Sequence, residues 1–138
     1  MKPRLMKPSI LRRAFARKIV PPKNVCVIDD ETSIRLSTAA LVRSLGHDAH
    51  AFDSAETFLA SEIQHRADCI VCDVQMRGMS GTALLTLLRM AGARTPFIFV
   101  SGNLTAHERL IAARYSVALL EKPIDPDDLV ALVVDILR

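Results

Sequence analysis

The sequence predicts an α/β domain in which a five-stranded parallel sheet is doubly wound with five helices. Three observations carry that expectation. From residue 24 onward, short apolar runs alternate with longer stretches of helical periodicity. The runs are apolar on both faces, as strands must be when helices cover both sides of the sheet. Polar residues then abut the carboxyl ends of four of these runs, where ligands bind in open parallel sheets.

The elements follow in order. Val25-Cys26-Val27-Ile28 reads as a central strand. Thr32 or Ser33 can open a helix through Leu45, with Ile34, Thr38, Leu41 and Leu45 on one stripe and Gly46 as its stop. Ala49–Phe52 is a second, more polar strand. Ser54 is an N-cap for a helix carrying Phe58 and Leu59. Cys69–Cys72 forms strand three, and helix three runs from about Thr82 to Ala91, ended by Gly92. Phe97–Val100 is the fourth strand, and Thr105-Ala106-His107-Glu108 is a capping box opening helix four. Val117–Leu120 is the fifth strand. Asp125-Pro126 sets an N-cap and a first-turn proline for helix five, which runs to the terminus.

Composition narrows the class. Half of the 138 residues are hydrophobic and 24% are charged, so the chain can build a core. Aromatics make up only 4%, which leaves Leu, Ile, Val and Ala to fill it. Three cysteines in no framework spacing point away from a disulfide-stapled secreted domain and towards a reducing, cytoplasmic setting. No apolar run reaches the roughly 18 residues of a membrane span. The net charge of +3 hides an asymmetry: residues 1–23 hold eight basic side chains and no acid. The other 115 residues carry ten basic and 15 acidic side chains, a net charge of −5, so direct DNA binding is not expected.

The division is therefore a basic, flexible N-terminal extension over 1–23 and a folded domain over 24–138, parted at Pro21-Pro22-Lys23. Residues 9–18 could form a short basic amphipathic helix with Ile10, Leu11 and Phe15 on one side. The Arg12-Arg13 pair is similar to a twin-arginine signal, but no apolar stretch or cleavage site follows, so export is not expected.

The strand ends assemble a chemistry. Strand one ends at Asp29-Asp30, strand three at Asp73, strand four at Ser101 and strand five at Lys122. Three carboxylates so close repel and raise at least one pKa unless a cation lies between them. An oxygen-only set suits a hard ion such as Mg²⁺, or Mn²⁺. Lys122 adds a point charge for a phosphate oxygen and Ser101 a hydroxyl donor. Together they suit phosphoryl transfer onto an aspartate. The remaining polar residues carry blander readings. Cys69 and Cys72, three apart in a strand, face opposite sides and are packing thiols, as is Cys26. The dispersed His47, His50, His65 and His107 form no metal set, and Met76 and Met79 are loop contacts.

Asp29-Asp30-Glu31, the stretch Asp73-Val74-Gln75-Met76 with Gly78-Met79-Ser80-Gly81, Ser101-Gly102 and Lys122-Pro123 occur in order, each ending its own strand. Residues 24–138 thereby resemble the receiver domain of bacterial two-component response regulators, most like the receivers of nitrogen-fixation-type regulators. The resemblance implies a flavodoxin-like (βα)5 order and a stand-alone phosphorylatable switch rather than a conventional enzyme. It implies Asp73 as phosphoacceptor, with Asp30, Asp73 and the backbone carbonyl of Gln75 on the metal and Asp29 acting through water. Ser101 and Lys122 would hold the phosphoryl oxygens, and the Lys122-Pro123 bond would be cis. The implied partners are a sensor histidine kinase or phosphotransfer protein. Downstream, a protein partner or a second copy would meet the face of helix four, strand five and helix five. A pseudo-receiver scaffold and a receiver cut from a longer DNA-binding regulator are the alternatives.

Three positions depart from the family pattern. Arg77 stands where a proline usually follows Met76, which frees φ and adds an N–H beside the site. Leu119 replaces the usual aromatic three residues before the lysine. Tyr115-Ser116 replaces a usual Gly-Ala, so Tyr115 is strained or the turn differs.

Overall fold

A computed structural model describes residues 21–138. Five strands, β1 (Asn24–Ile28), β2 (Asp48–Phe52), β3 (Cys69–Asp73), β4 (Phe97–Ser101) and β5 (Ala118–Glu121), form one sheet in the order β2-β1-β3-β4-β5. Every pairing is parallel. Five helices alternate with the strands: α1 (Thr32–Ser44), α2 (Ala55–Leu59), α3 (Gly81–Met90), α4 (Ala106–Arg114) and α5 (Pro126–Ile136). The doubly wound five-strand, five-helix architecture is the one expected. A 3-10 turn over Glu62–Arg66, capped by Ser61, follows α2 and has no counterpart in the sequence reading. The expected leader helix over 9–18 lies outside the described residues.

Alternation along the strands divides the core in two. Val25, Val27, Cys69, Val71, Ile98 and Val100 face α1 and α5, where Ala39, Val42, Leu129, Val130, Val133 and Val134 meet them. Cys26, Ile28, Ile70, Cys72, Phe97 and Phe99 face the other way, onto Ala55 and Phe58 of α2, Leu84, Leu85 and Leu88 of α3, and Ala112 of α4. Cys69 and Cys72 thus lie on opposite faces. Burial pushes the thiols of Cys26 and Cys69 up to about 12 and raises that of Cys72 as well, so all three pack as neutral apolar groups.

Capping explains most helix starts. Ser54, Ser80, Thr105 and Asp125 each accept a backbone N–H of the first turn, and Thr105 and Glu108 form the reciprocal capping box. Helix α3 starts at Gly81 rather than Thr82, because Ser80 takes the cap. Its closeness to β3 requires a glycine there: a Cβ on Gly81 would collide with the Asp73 carbonyl oxygen.

One local expectation is corrected. The buried face of α1 is Thr38, Ala39, Val42 and Leu45, while Ile34 and Leu41 are only half-buried. Close approach of helix to sheet favours small Ala39 and compact Val42, which a hydropathy stripe weights less than leucine. Helix α1 opens at Thr32, as expected. Glu31 holds the cap position without a side-chain bond, and Thr32 Oγ1 accepts from Arg35 (3.3 Å). At the turn into β5, Tyr115 keeps an ordinary φ of −101° and Ser116 takes φ +53°. The turn differs, then, and any left-handed strain sits on Ser116.

Candidate functional site

The sheet order places the connections after β1 and β3 on opposite faces: α1 covers one side and α3 the other. A crevice opens between the carboxyl ends of these neighbouring strands, the place where such sheets bind ligands. Asp29 and Asp30 follow β1, and Asp73 ends β3. One carboxylate oxygen from each of the three lies within 4.8 Å of the others.

Asp29 and Asp73 are buried and Asp30 is half-exposed. Backbone amides aim the two buried groups. Glu31 N–H donates to Asp29 Oδ1 (2.9 Å), and Gln75 N–H donates to Asp73 Oδ1 (3.3 Å). Lys122 arrives from just beyond β5, tied by its own N–H to the Ser101 carbonyl (2.8 Å). Its ammonium donates to Asp73 Oδ2 at 3.0 Å and stands 3.6 Å from both Asp29 Oδ2 and Glu31 Oε1. The Lys122-Pro123 peptide is cis.

The electrostatics follow. Burial raises the pKa of Asp73 above the usual carboxylate value, and Asp30 adds to the rise, while the Lys122 hydrogen bond and charge oppose it. Burial also raises Asp29, with the Asp73 charge adding to it and the Glu31 amide and Lys122 opposing. Burial pulls Lys122 down, but the hydrogen bond to Asp73 and the charges of Asp73, Asp29 and Glu31 outweigh it. The expected repulsion among carboxylates is present, then, although desolvation is its larger companion, and one ammonium only partly relieves it.

Ser101 is buried at the end of β4, and its hydroxyl accepts the Asn103 N–H (3.2 Å), which shapes the following loop. Gln75 is exposed beside Asp73. Sequence reasoning gave no role to Glu56, whose Oε2 accepts the Met79 N–H (3.2 Å) and so steadies the loop after β3 from α2. Nor did it name the partner of the N–H expected of Arg77 beside the site, which donates to Asp30 Oδ2 (3.1 Å). Only an exposed Glu twenty-odd residues upstream could have hinted at the former, and nothing in the spacing does. His47 and His50 are structural: Lys23 N–H donates to His47 Nδ1, and His50 Nε2 pairs with Asn24 Oδ1. Met76 and Met79 rest against the second core cluster.

The model of the response regulator receiver domain matches residues 25–134. The chain belongs to that family. Receiver domains serve two-component signalling through phosphorylation on aspartate, and they generally bind Mg²⁺ at an acidic pocket. Similar proteins include the transcriptional regulatory protein TdiR of Thauera aromatica, 38% identical over 86 residues, which cover 62% of this chain and 38% of TdiR. The transcriptional regulatory protein FixJ of Azorhizobium caulinodans is 36% identical over 110 residues, 79% of this chain and 52% of FixJ. The chain thus spans about a third to a half of the length of these curated relatives. Among solved structures, a response regulator receiver protein from Pseudomonas putida superposes with a TM-score of 0.74 at 28% identity, covering 83% of this chain and 97% of that one. No helix among the described residues is long and apolar enough to cross a membrane.

Proposed function

We propose that this receiver takes a phosphoryl group on Asp73 from a histidine kinase or phosphotransfer protein and signals through a protein contact that changes with phosphorylation. The observation that carries the proposal is the Asp73 carboxylate, buried at the sheet edge between two further carboxylates and hydrogen-bonded to a lysine at 3.0 Å. Asp73 is the nucleophile: one of its oxygens forms the new P–O bond as the P–N bond of a phosphohistidine breaks and the imidazole leaves.

The donor set fits a hard divalent cation. It is all oxygen, and one ammonium leaves the buried pair Asp29 and Asp73 still raised. Asp30, Asp73 and the Gln75 carbonyl would hold Mg²⁺ or Mn²⁺ directly, with Asp29 engaged through water. Bound there, the ion would neutralise charge on the phosphoryl oxygens. On this reading Lys122 would pass from the Asp73 carboxylate to a phosphoryl oxygen, and Ser101 would donate its hydroxyl to another.

Incubation with acetyl phosphate and Mg²⁺, followed by intact mass measurement, tests the assignment. One phosphoryl adduct is expected, lost on chelation and absent from Asp73→Asn. The same adduct on Asp73→Asn would overturn the assignment of the acceptor.

A further inference from the structure

Among the described residues, four carboxylates surround the crevice and two cations divide them. Lys122 serves Asp73, Asp29 and Glu31. Asp30 is left to Arg77, which meets the same oxygen twice: its backbone N–H lies 3.1 Å from Oδ2 and its Nε 3.7 Å from it. A proline at this position would supply neither donor. The two cations are not equally committed, since the Lys122 side chain is 15% exposed and the Arg77 side chain 90%.

We propose that Arg77 is a built-in competitor for the divalent cation, occupying Asp30 in the metal-free protein and thereby setting the metal affinity of the site. The proposal rests on the metal reading of the crevice given above. A cation coordinated by Asp30 must share or displace the lone pairs that Arg77 now engages. It must also tolerate a guanidinium charge beside it. Lys122 cannot yield as readily, because it is shielded and hydrogen-bonded to the acceptor. Arg77 is the cation that yields, with water ready to solvate it. An exposed pair of this kind is weak, so the effect is a tuning of affinity by roughly 1.5- to 5-fold and not a block.

Titration calorimetry of the metal-free full chain with MgCl₂ at low ionic strength tests this, with circular dichroism confirming that each variant is folded. Arg77→Gln should bind Mg²⁺ roughly 1.5- to 5-fold tighter than the native chain. Arg77→Lys keeps the charge and should bind as the native chain does. Arg77→Pro removes the N–H as well and should bind at least as tightly as Arg77→Gln. The gap between native and Arg77→Gln should close as salt is raised. Unchanged or weaker binding by Arg77→Gln, weaker binding by Arg77→Pro, or equal tightening by Arg77→Lys overturns the proposal. Asp30→Ala separates the two levels. If it binds Mg²⁺ as the native chain does, the metal reading itself fails and the competitor role with it.

Discussion

Asp29 and Asp73 show what it costs to keep carboxylates under a sheet edge. Their folded-state pKa values lie above 3.8, raised first by burial, so just above pH 3.8 the folded chain holds more protons than the unfolded one. Stability of the metal-free protein then falls as pH rises through that window and levels off above the folded pKa. Asp29→Asn, which cannot ionise, should raise Tm by a few degrees at pH 7 in the presence of a chelator. That gain should vanish below about pH 3.8, where the native aspartate is itself protonated. Thermal melts across pH check both parts; a gain that persisted in acid would assign the effect to packing. That Asp29, Asp30, Asp73 and Lys122 gather at one place was legible because each ends or follows an apolar strand, and the sheet gathers strand ends. Arg77 on Asp30 and Glu56 on Met79 were not, because both contacts join loop backbone to a side chain on another element, and sequence spacing does not encode that geometry.

At the scale of elements, local chemistry decided where helices begin. Thr105→Ala removes one half of the capping box and should cost about 1 kcal/mol, read as a lower urea midpoint. Gly81→Ala acts differently, since its methyl group would press on the Asp73 carbonyl and force α3 off β3. A loss of about 1–3 kcal/mol is expected from such overpacking. Because the displaced atom belongs to the proposed acceptor, phosphorylation by acetyl phosphate should slow in the same variant. Full stability or an unchanged rate would show that α3 can shift without disturbing Asp73. Strand and helix existence was readable from apolar runs and caps, whereas ends moved by a residue where polar residues such as Asp73 and Ser101 still pair in the sheet. The stripe on α1 was misjudged because burial there is set by closeness to the sheet. The 3-10 turn is too short to show a period.

For the whole molecule, a domain wound on both faces can transmit a change at one sheet edge to either helical layer. Lys23 is already fastened to β2, its carbonyl accepting the Asp48 N–H (3.0 Å). Removal of residues 1–22 should therefore leave folding and acetyl phosphate labelling intact, and any attraction to anionic surfaces should be lost with them. Failure of the shortened chain to fold or accept phosphate would refute that division. On the output side, Leu119 is half-buried against the second core cluster and has no ring to swing. The response of a partner or second copy at α4, β5 and α5 should be modest and survive Leu119→Ala, while Ser101→Ala uncouples it. Binding measured with and without a phosphoryl mimic distinguishes the two, and the reverse pattern would sink this account.

Helix α4 buries only Glu108 and Ala112, and Glu108 is spent on its own cap. Leu110 is largely exposed, and the left-handed Ser116 follows one residue beyond the helix cap. Such an element is capped by hydrogen bonds at its ends but packs against the core chiefly through Ala112 and Ile111. Its amides should exchange with deuterium faster than those of α1, α3 or α5, through openings that leave the sheet closed. A helix with so little buried surface needs little work to be moved, so a shift of the Ser101 loop should be felt at the surface through α4 even without an aromatic relay.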